Sequence, residues 1–141
     1  MKVYRLDPLG TLDGLKLGDE EALRPGPREI AIRIRATSLN YRDLKVATGA
    51  YERGAIKPRV IPLSDGAGEV VEAGAGVTRV KAGERVTAIF VQRWLAGRVD
   101  PAYSSSALGG PSDGVLAERI VLPEEGVVSI PLHLTFEEAA T

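Results

Sequence analysis

No cysteine occurs among the 141 residues, and histidine occurs once. The first absence excludes disulfides, thiolate zinc sites, iron–sulfur clusters and a cysteine nucleophile. The second excludes any site built on two imidazoles and leaves a Ser-His-Asp arrangement dependent on His133 alone. An excess of one charge is lacking too. Lys and Arg number 18 against 19 Asp and Glu, a net charge of −1, so no electrostatic footprint for nucleic acid or an anionic membrane is present. No apolar run approaches the ~18 residues of a membrane helix. The opening Met1-Lys2-Val3-Tyr4-Arg5-Leu6-Asp7-Pro8 breaks on charge and proline before a signal-peptide core forms. The expectation is a soluble, cytoplasmic protein with no nucleic-acid or membrane partner.

What is present reads as one globular domain. Hydrophobic residues at 44% and charged residues at 26% are ordinary for a packed core. With 16 glycines and 9 prolines, the chain has the punctuation of short strands joined by many turns. Strands are expected at Met1–Leu6 and Leu12–Leu17, the latter with Asp13-Gly14 as its turn. The clearest follows, where Ile30, Ile32, Ile34 and Ala36 alternate with Ala31, Arg33 and Arg35, a period of two with one wet face. Further strands fall at Gly66–Gly74, Arg85–Val91, Leu116–Leu122 and Val127–Ile130. Between Gln92 and Gly114 no periodicity survives, which predicts a long loop.

Two short helices are expected. Asn40 is a good N-cap, Asp43 suits the first turn, Tyr41, Leu44 and Thr48 share a side, and Gly49 can end the helix left-handed. Thr135 and Glu138 form a capping-box pattern at the start of a second helix. The strand-rich order, without a strand–helix alternation, predicts a mainly β chain: a β-barrel with a few short helices.

Gly66-Ala67-Gly68 and Gly74-Ala75-Gly76 invite a dinucleotide reading. The third glycine of that fingerprint is replaced by Val71 and Arg79, and neither site opens a helix. Turn and packing roles are expected of them instead. The acidic residues are dispersed, and no carboxylate pair stands out for general acid–base work.

Several segments together resemble the medium-chain dehydrogenase/reductase superfamily, in its zinc-independent, quinone-oxidoreductase and alcohol-dehydrogenase-like branch. They are Ser38-Leu39-Asn40-Tyr41-Arg42-Asp43-Leu44 with Thr48-Gly49-Ala50-Tyr51, Ile61-Pro62-Leu63-Ser64-Asp65-Gly66-Ala67-Gly68-Glu69-Val70-Val71, Val80–Val86, Gly114–Glu118 and Thr135–Thr141. The resemblance runs along essentially the whole chain, in order and spacing. It implies a GroES-like barrel over residues 1–130, with residues 131–141 opening a connection to a Rossmann domain that lies outside this sequence.

In zinc-dependent members the metal is held by a cysteine at the place of Asn40 and by a Gly-His-Glu motif at the place of Leu63-Ser64-Asp65. Four further cysteines of a structural zinc lobe would fall within Gln92–Gly114. The resemblance therefore implies no metal. It also implies NADP or NAD as cofactor and a small carbonyl, quinone or alcohol as substrate. Tyr51 matches a tyrosine that protonates the carbon beside the one receiving hydride, though a barrel-surface or dimer-contact aromatic is the plainer account. Asn40 is either an amide donor to substrate or ribose or simply the helix cap. Arg42 and Lys45 are candidate contacts to cofactor phosphates or solvated surface cations. Tyr41 stands where several relatives carry a basic pyrophosphate contact. The functional expectation is the substrate-binding and catalytic domain of an NAD(P)-dependent oxidoreductase, inactive by itself and prone to form a homo-oligomer. A non-catalytic GroES-like binding or assembly module remains the alternative.

Overall fold

The computed structural model describes residues 1–52 and 55–141. Strands β1 (Lys2–Leu6) and β2 (Leu15–Asp19) form an antiparallel hairpin. A five-stranded antiparallel sheet holds β3 (Glu29–Ser38), β4 (Asp65–Ala73), β5 (Arg85–Ala88), β6 (Arg119–Pro123) and β7 (Val127–Ser129), in the order β6-β3-β4-β5-β7. Helix α1 (Tyr41–Ala47) follows β3, and α2 (Phe136–Ala139) follows β7. No described helix is long and apolar enough to cross a membrane. The expected mainly β architecture is present.

The sheet is rolled, and its connectivity requires it. Edge strands β6 and β7 are joined by the three residues Glu124–Gly126. Laid flat, four inter-strand steps would separate the edges by ~19 Å, whereas the link from Pro123 to Val127 reaches at most ~14 Å. Among the described residues no ladder joins β6 to β7, so the barrel is rolled without being closed by hydrogen bonds. Ile30, Ile32, Val70, Val86, Leu108, Val115 and Val127 fill its interior.

The alternation read in β3 holds only in part. Ile30, Ala31 and Ile32 are all buried, because a bulge between Ala31 and Ile32 shifts the register against β4 and breaks the period. Gly68 in β4 answers a close approach, since a Cβ there would sit 2.2 Å from the Arg33 carbonyl oxygen. At Gly74 a Cβ would sit 1.8 Å from the carbonyl oxygen of Gly26. Packing accounts for both glycines.

Three expected strands are shorter or displaced. Residues 12–14 form a 3-10 turn capped by Thr11, and β2 starts only at Leu15. Leu116 and Ala117 pair with β1, through Tyr4 N–H to the Leu116 carbonyl (3.0 Å) and a Val3–Ala117 bridge, so β6 begins at Arg119. β5 ends at Ala88 because the Ile89 N–H turns to the Gly126 carbonyl and the Phe90 carbonyl accepts from Leu108. The Gln92–Gly114 segment is more ordered than its composition suggests. Pro101–Ser106 forms a 3-10 turn whose Ser104, Ser105 and Ser106 hydroxyls each donate to the carbonyl three residues back.

Where the rolled sheet's edges meet, Glu124 is wholly buried. Its Oε2 accepts from the amides of Arg79 (2.6 Å) and Thr78 (2.7 Å), and its Oε1 lies 3.0 Å from the Arg28 guanidinium. The Arg79 amide, then that of Thr78, holds this carboxyl below the ordinary carboxylate range despite burial.

Candidate active site

Helix α1 organises the site. The Asn40 N–H donates to Asp43 Oδ2 at 2.8 Å, the Asp43 N–H donates to the Asn40 carbonyl, and Gly49 ends the helix at φ +73. The apolar side expected from Tyr41, Leu44 and Thr48 is not the buried one. All three are exposed, and Asp43, Val46 and Ala47 face inward. Both sets satisfy helical spacing, and the charge on Asp43 hides its inward placement.

Arg42 also turns in. Its Nη1 donates to the Leu108 carbonyl (3.0 Å) and lies 3.4 Å from that of Gly109. The guanidinium carbon stands 4.6 Å from the Tyr51 ring centroid and 4.8 Å from that of Phe90, a cation between two aromatic faces. Lys45 stays exposed with its Nζ 5.4 Å from the Tyr41 ring. Tyr41, Arg42, Lys45, Ala50, Tyr51, Glu52 and Phe90 enclose a cleft of about 400 Å³. Thus Tyr51, Arg42 and Lys45 come together around one space. Below it, Tyr51 packs on Leu6, Val46, Ala47 and Val60.

Asn40 does not line that cleft. Its Nδ2 donates to Asp65 Oδ2 at 2.5 Å, and the Ser64 hydroxyl donates to the same oxygen at 2.9 Å. Leu63, just before them, holds φ +68, a left-handed conformation that costs a branched residue roughly 1–2 kcal/mol and glycine little. Asn40 and Asp43 border a second, apolar cleft of about 260 Å³ with Leu12, Leu15, Leu39 and Leu44 on its rim. Burial pushes the Asp43 carboxyl upward, opposed by the Asn40 N–H, and its Oδ1 has no hydrogen-bond partner among the described residues.

The cluster of Asn40, Ser64 and Asp65 offers little to a zinc ion. An amide, a hydroxyl and one carboxylate, already bonded to one another, lack the thiolate and imidazole donors that zinc favours. The donor set does not fit that metal. His133 is exposed in the turn before α2 and outside both clefts.

Sequence reasoning did not find Phe90, whose place in an apolar run marks it as core. It also missed the buried state of Asp43, for which the only signal was its place three residues after a cap.

The alcohol dehydrogenase GroES-like domain family matches residues 26–132. A zinc-type alcohol dehydrogenase-like protein of Schizosaccharomyces pombe is 38% identical over 138 residues, 96% of this chain and 39% of that protein. A quinone oxidoreductase of Pseudomonas aeruginosa is 36% identical over 126 residues, 89% of this chain and 32% of that one. The crystal structure of a candidate alcohol dehydrogenase from Sinorhizobium meliloti superposes with a TM-score of 0.88 at 36% identity, covering 99% of this chain and 41% of that one. The chain therefore spans about a third to two fifths of the length of these relatives.

Proposed function

The chain belongs to the family of alcohol dehydrogenase GroES-like domains, and from that premise we propose that it is the substrate-side domain of an NAD(P)-dependent oxidoreductase that works without zinc. Its substrate is a small quinone, enone or other carbonyl/alcohol compound. Residues 131–141 open the connection to a nucleotide-binding domain. The reading places the protein in the cytoplasm as a homo-oligomer, in keeping with exposed apolar side chains such as Leu39, Trp94 and Leu95.

The observation that carries this reading is the self-bonded cluster at Asn40, Ser64 and Asp65. Where relatives build a Lewis acid, this chain has hydrogen bonds, and the group left on the neighbouring cleft is the Tyr51 phenol. The nicotinamide cofactor, when bound, supplies the hydride. Lys45, exposed on α1, fits a contact to its phosphates. Arg42 contributes charge rather than contacts there, because its N–H groups are bonded to carbonyls or buried. The Tyr51 hydroxyl donates a proton to the carbon beside the reduced one, or to the developing enolate oxygen. Asn40, anchored by Asp65, offers its remaining amide oxygen to substrate or ribose.

The test is Tyr51→Phe in the protein that carries this chain together with a nucleotide-binding domain. NAD(P)H-dependent reduction of an enone or quinone should lose about 10²–10⁴-fold in kcat, with little change in KM. Activity that requires added zinc, or no nicotinamide oxidation at all, overturns the reading. The 141-residue chain alone should turn nothing over, because it holds only one wall of the site, and should bind NADPH at millimolar concentration or weaker, at most ~4 kcal/mol. Trp94 fluorescence, corrected for absorption by the cofactor, reads that titration.

A further inference from the structure

Among the described residues Arg42 has no carboxylate within ion-pairing distance, and Asp43 acts on it only through space. The Arg42 Nε and Nη2 are buried and make no hydrogen bond among those residues. Its neighbour Asp43 is bonded instead to the Asn40 amide. Nor can the guanidinium swing toward bulk solvent without losing its place. Nη1 is bonded to the Leu108 carbonyl, and Nη2 stands against the Gly110 backbone, 2.6 Å from where a Cβ would lie. A fixed positive charge therefore lies beneath a cleft whose rim adds Lys45 and Glu52. The walls are the rings of Tyr41, Tyr51 and Phe90, which favour a flat occupant.

We infer that this cleft selects a planar anion, a conjugated or aromatic carbonyl compound bearing a carboxylate or ionised hydroxyl, with Arg42 as the residue that sets the charge preference. The inference rests on reading the cleft as the substrate site, but its test needs neither cofactor nor turnover. Benzoate and benzamide share a shape and differ by one charge. On the 141-residue chain, followed by amide NMR shifts, benzoate should bind about tenfold tighter than benzamide at low ionic strength. The shifts should centre on Arg42, Lys45, Ala50 and Tyr51. Raising salt from about 20 mM to about 300 mM should narrow the gap. Arg42→Met should abolish it, while Arg42→Lys, which keeps the charge, should retain part. Should Arg42→Met fail to fold, the comparison on the parent chain decides by itself.

Equal affinities, tighter benzamide, or shifts lying elsewhere overturn the inference. Inorganic pyrophosphate separates the other source of negative charge, the cofactor. If it displaces benzoate at lower concentration than benzoate itself needs, the cleft is a phosphate subsite and the planar-anion inference fails. Binding preferences as expected together with an inactive longer protein would leave this inference standing while removing the proposed activity.

Discussion

Among the described residues two carboxyls are buried, and they are treated in opposite ways. Glu124, at the seam of the rolled sheet, receives two backbone amides and a guanidinium, and its charge is held. Asp43, at the start of α1 beside the candidate site, receives one amide on one oxygen, and burial works against its charge. Burial alone therefore does not set the fate of a charge; the number of donors aimed at it does. At the seam, Oε2 of Glu124 is satisfied by two amides, and Oε1 has the Arg28 guanidinium at 3.0 Å as an ion pair, without a hydrogen bond among the described residues. Around α1, Asp43 Oδ1 and the Arg42 guanidinium are left with unmet hydrogen-bonding capacity, and such surplus is characteristic of sites awaiting a ligand.

Removing Glu124 should break the comparison most severely. Glu124→Ala leaves the Thr78 and Arg79 amides without their acceptor and frees the link between the sheet edges. It is expected to abolish cooperative thermal unfolding, followed by circular dichroism. A variant melting like the parent would show the seam to be ornamental. Asp43→Ala should cost less, about 1 kcal/mol in urea unfolding, because only the Asn40 amide loses its partner.

Asp43→Asn sharpens the contrast through its sign. The amide oxygen still accepts from Asn40 and the costly charge is gone, so the variant should be more stable than the parent at neutral pH, by no more than about 1 kcal/mol. The pH dependence then separates the two sites. Asp43 sits above its ordinary value in the fold, so its ionisation weakens the fold as pH rises, and relief comes as pH falls through the raised value. The advantage of Asp43→Asn should therefore close as pH falls toward about 4. Glu124, held low, contributes stability above the ordinary carboxylate range that is lost as pH falls through its depressed value. Glu124→Gln should accordingly differ most from the parent at neutral pH and least in acid. The smallest effect belongs to His133→Ala, expected within about 0.5 kcal/mol of the parent because that side chain is exposed.

What the sequence disclosed was local. The Asn40 start of α1, the left-handed Gly49 and the reciprocal Thr135–Glu138 capping box each rest on residues a few positions apart. The strand-rich order with its glycine and proline punctuation indicated the mainly β barrel, family resemblance agreed with it, and the resemblance drew attention to Tyr51, Asn40, Arg42 and Lys45. Hidden from sequence was whatever depends on distant partners. Pro123-Glu124-Glu125-Gly126 looks like an exposed acidic turn, yet the donors to Glu124 come from Arg28, Thr78 and Arg79. Arg42 looks solvated until Tyr51, Phe90 and Leu108 are placed around it. Leu63 gives no hint of its left-handed backbone.

The three-residue link between β6 and β7 also governs how the chain can be built. Before residues 119–129 leave the ribosome, the large sheet consists of β3, β4 and β5 alone, with both outer strands unpaired. One late segment then completes both margins, β6 against β3 and β7 against β5. A nascent chain stalled before that point would present two adhesive β edges to its neighbours. Emergence of residues 119–129 thus converts an aggregation-prone meander into the rolled sheet in one cooperative stroke.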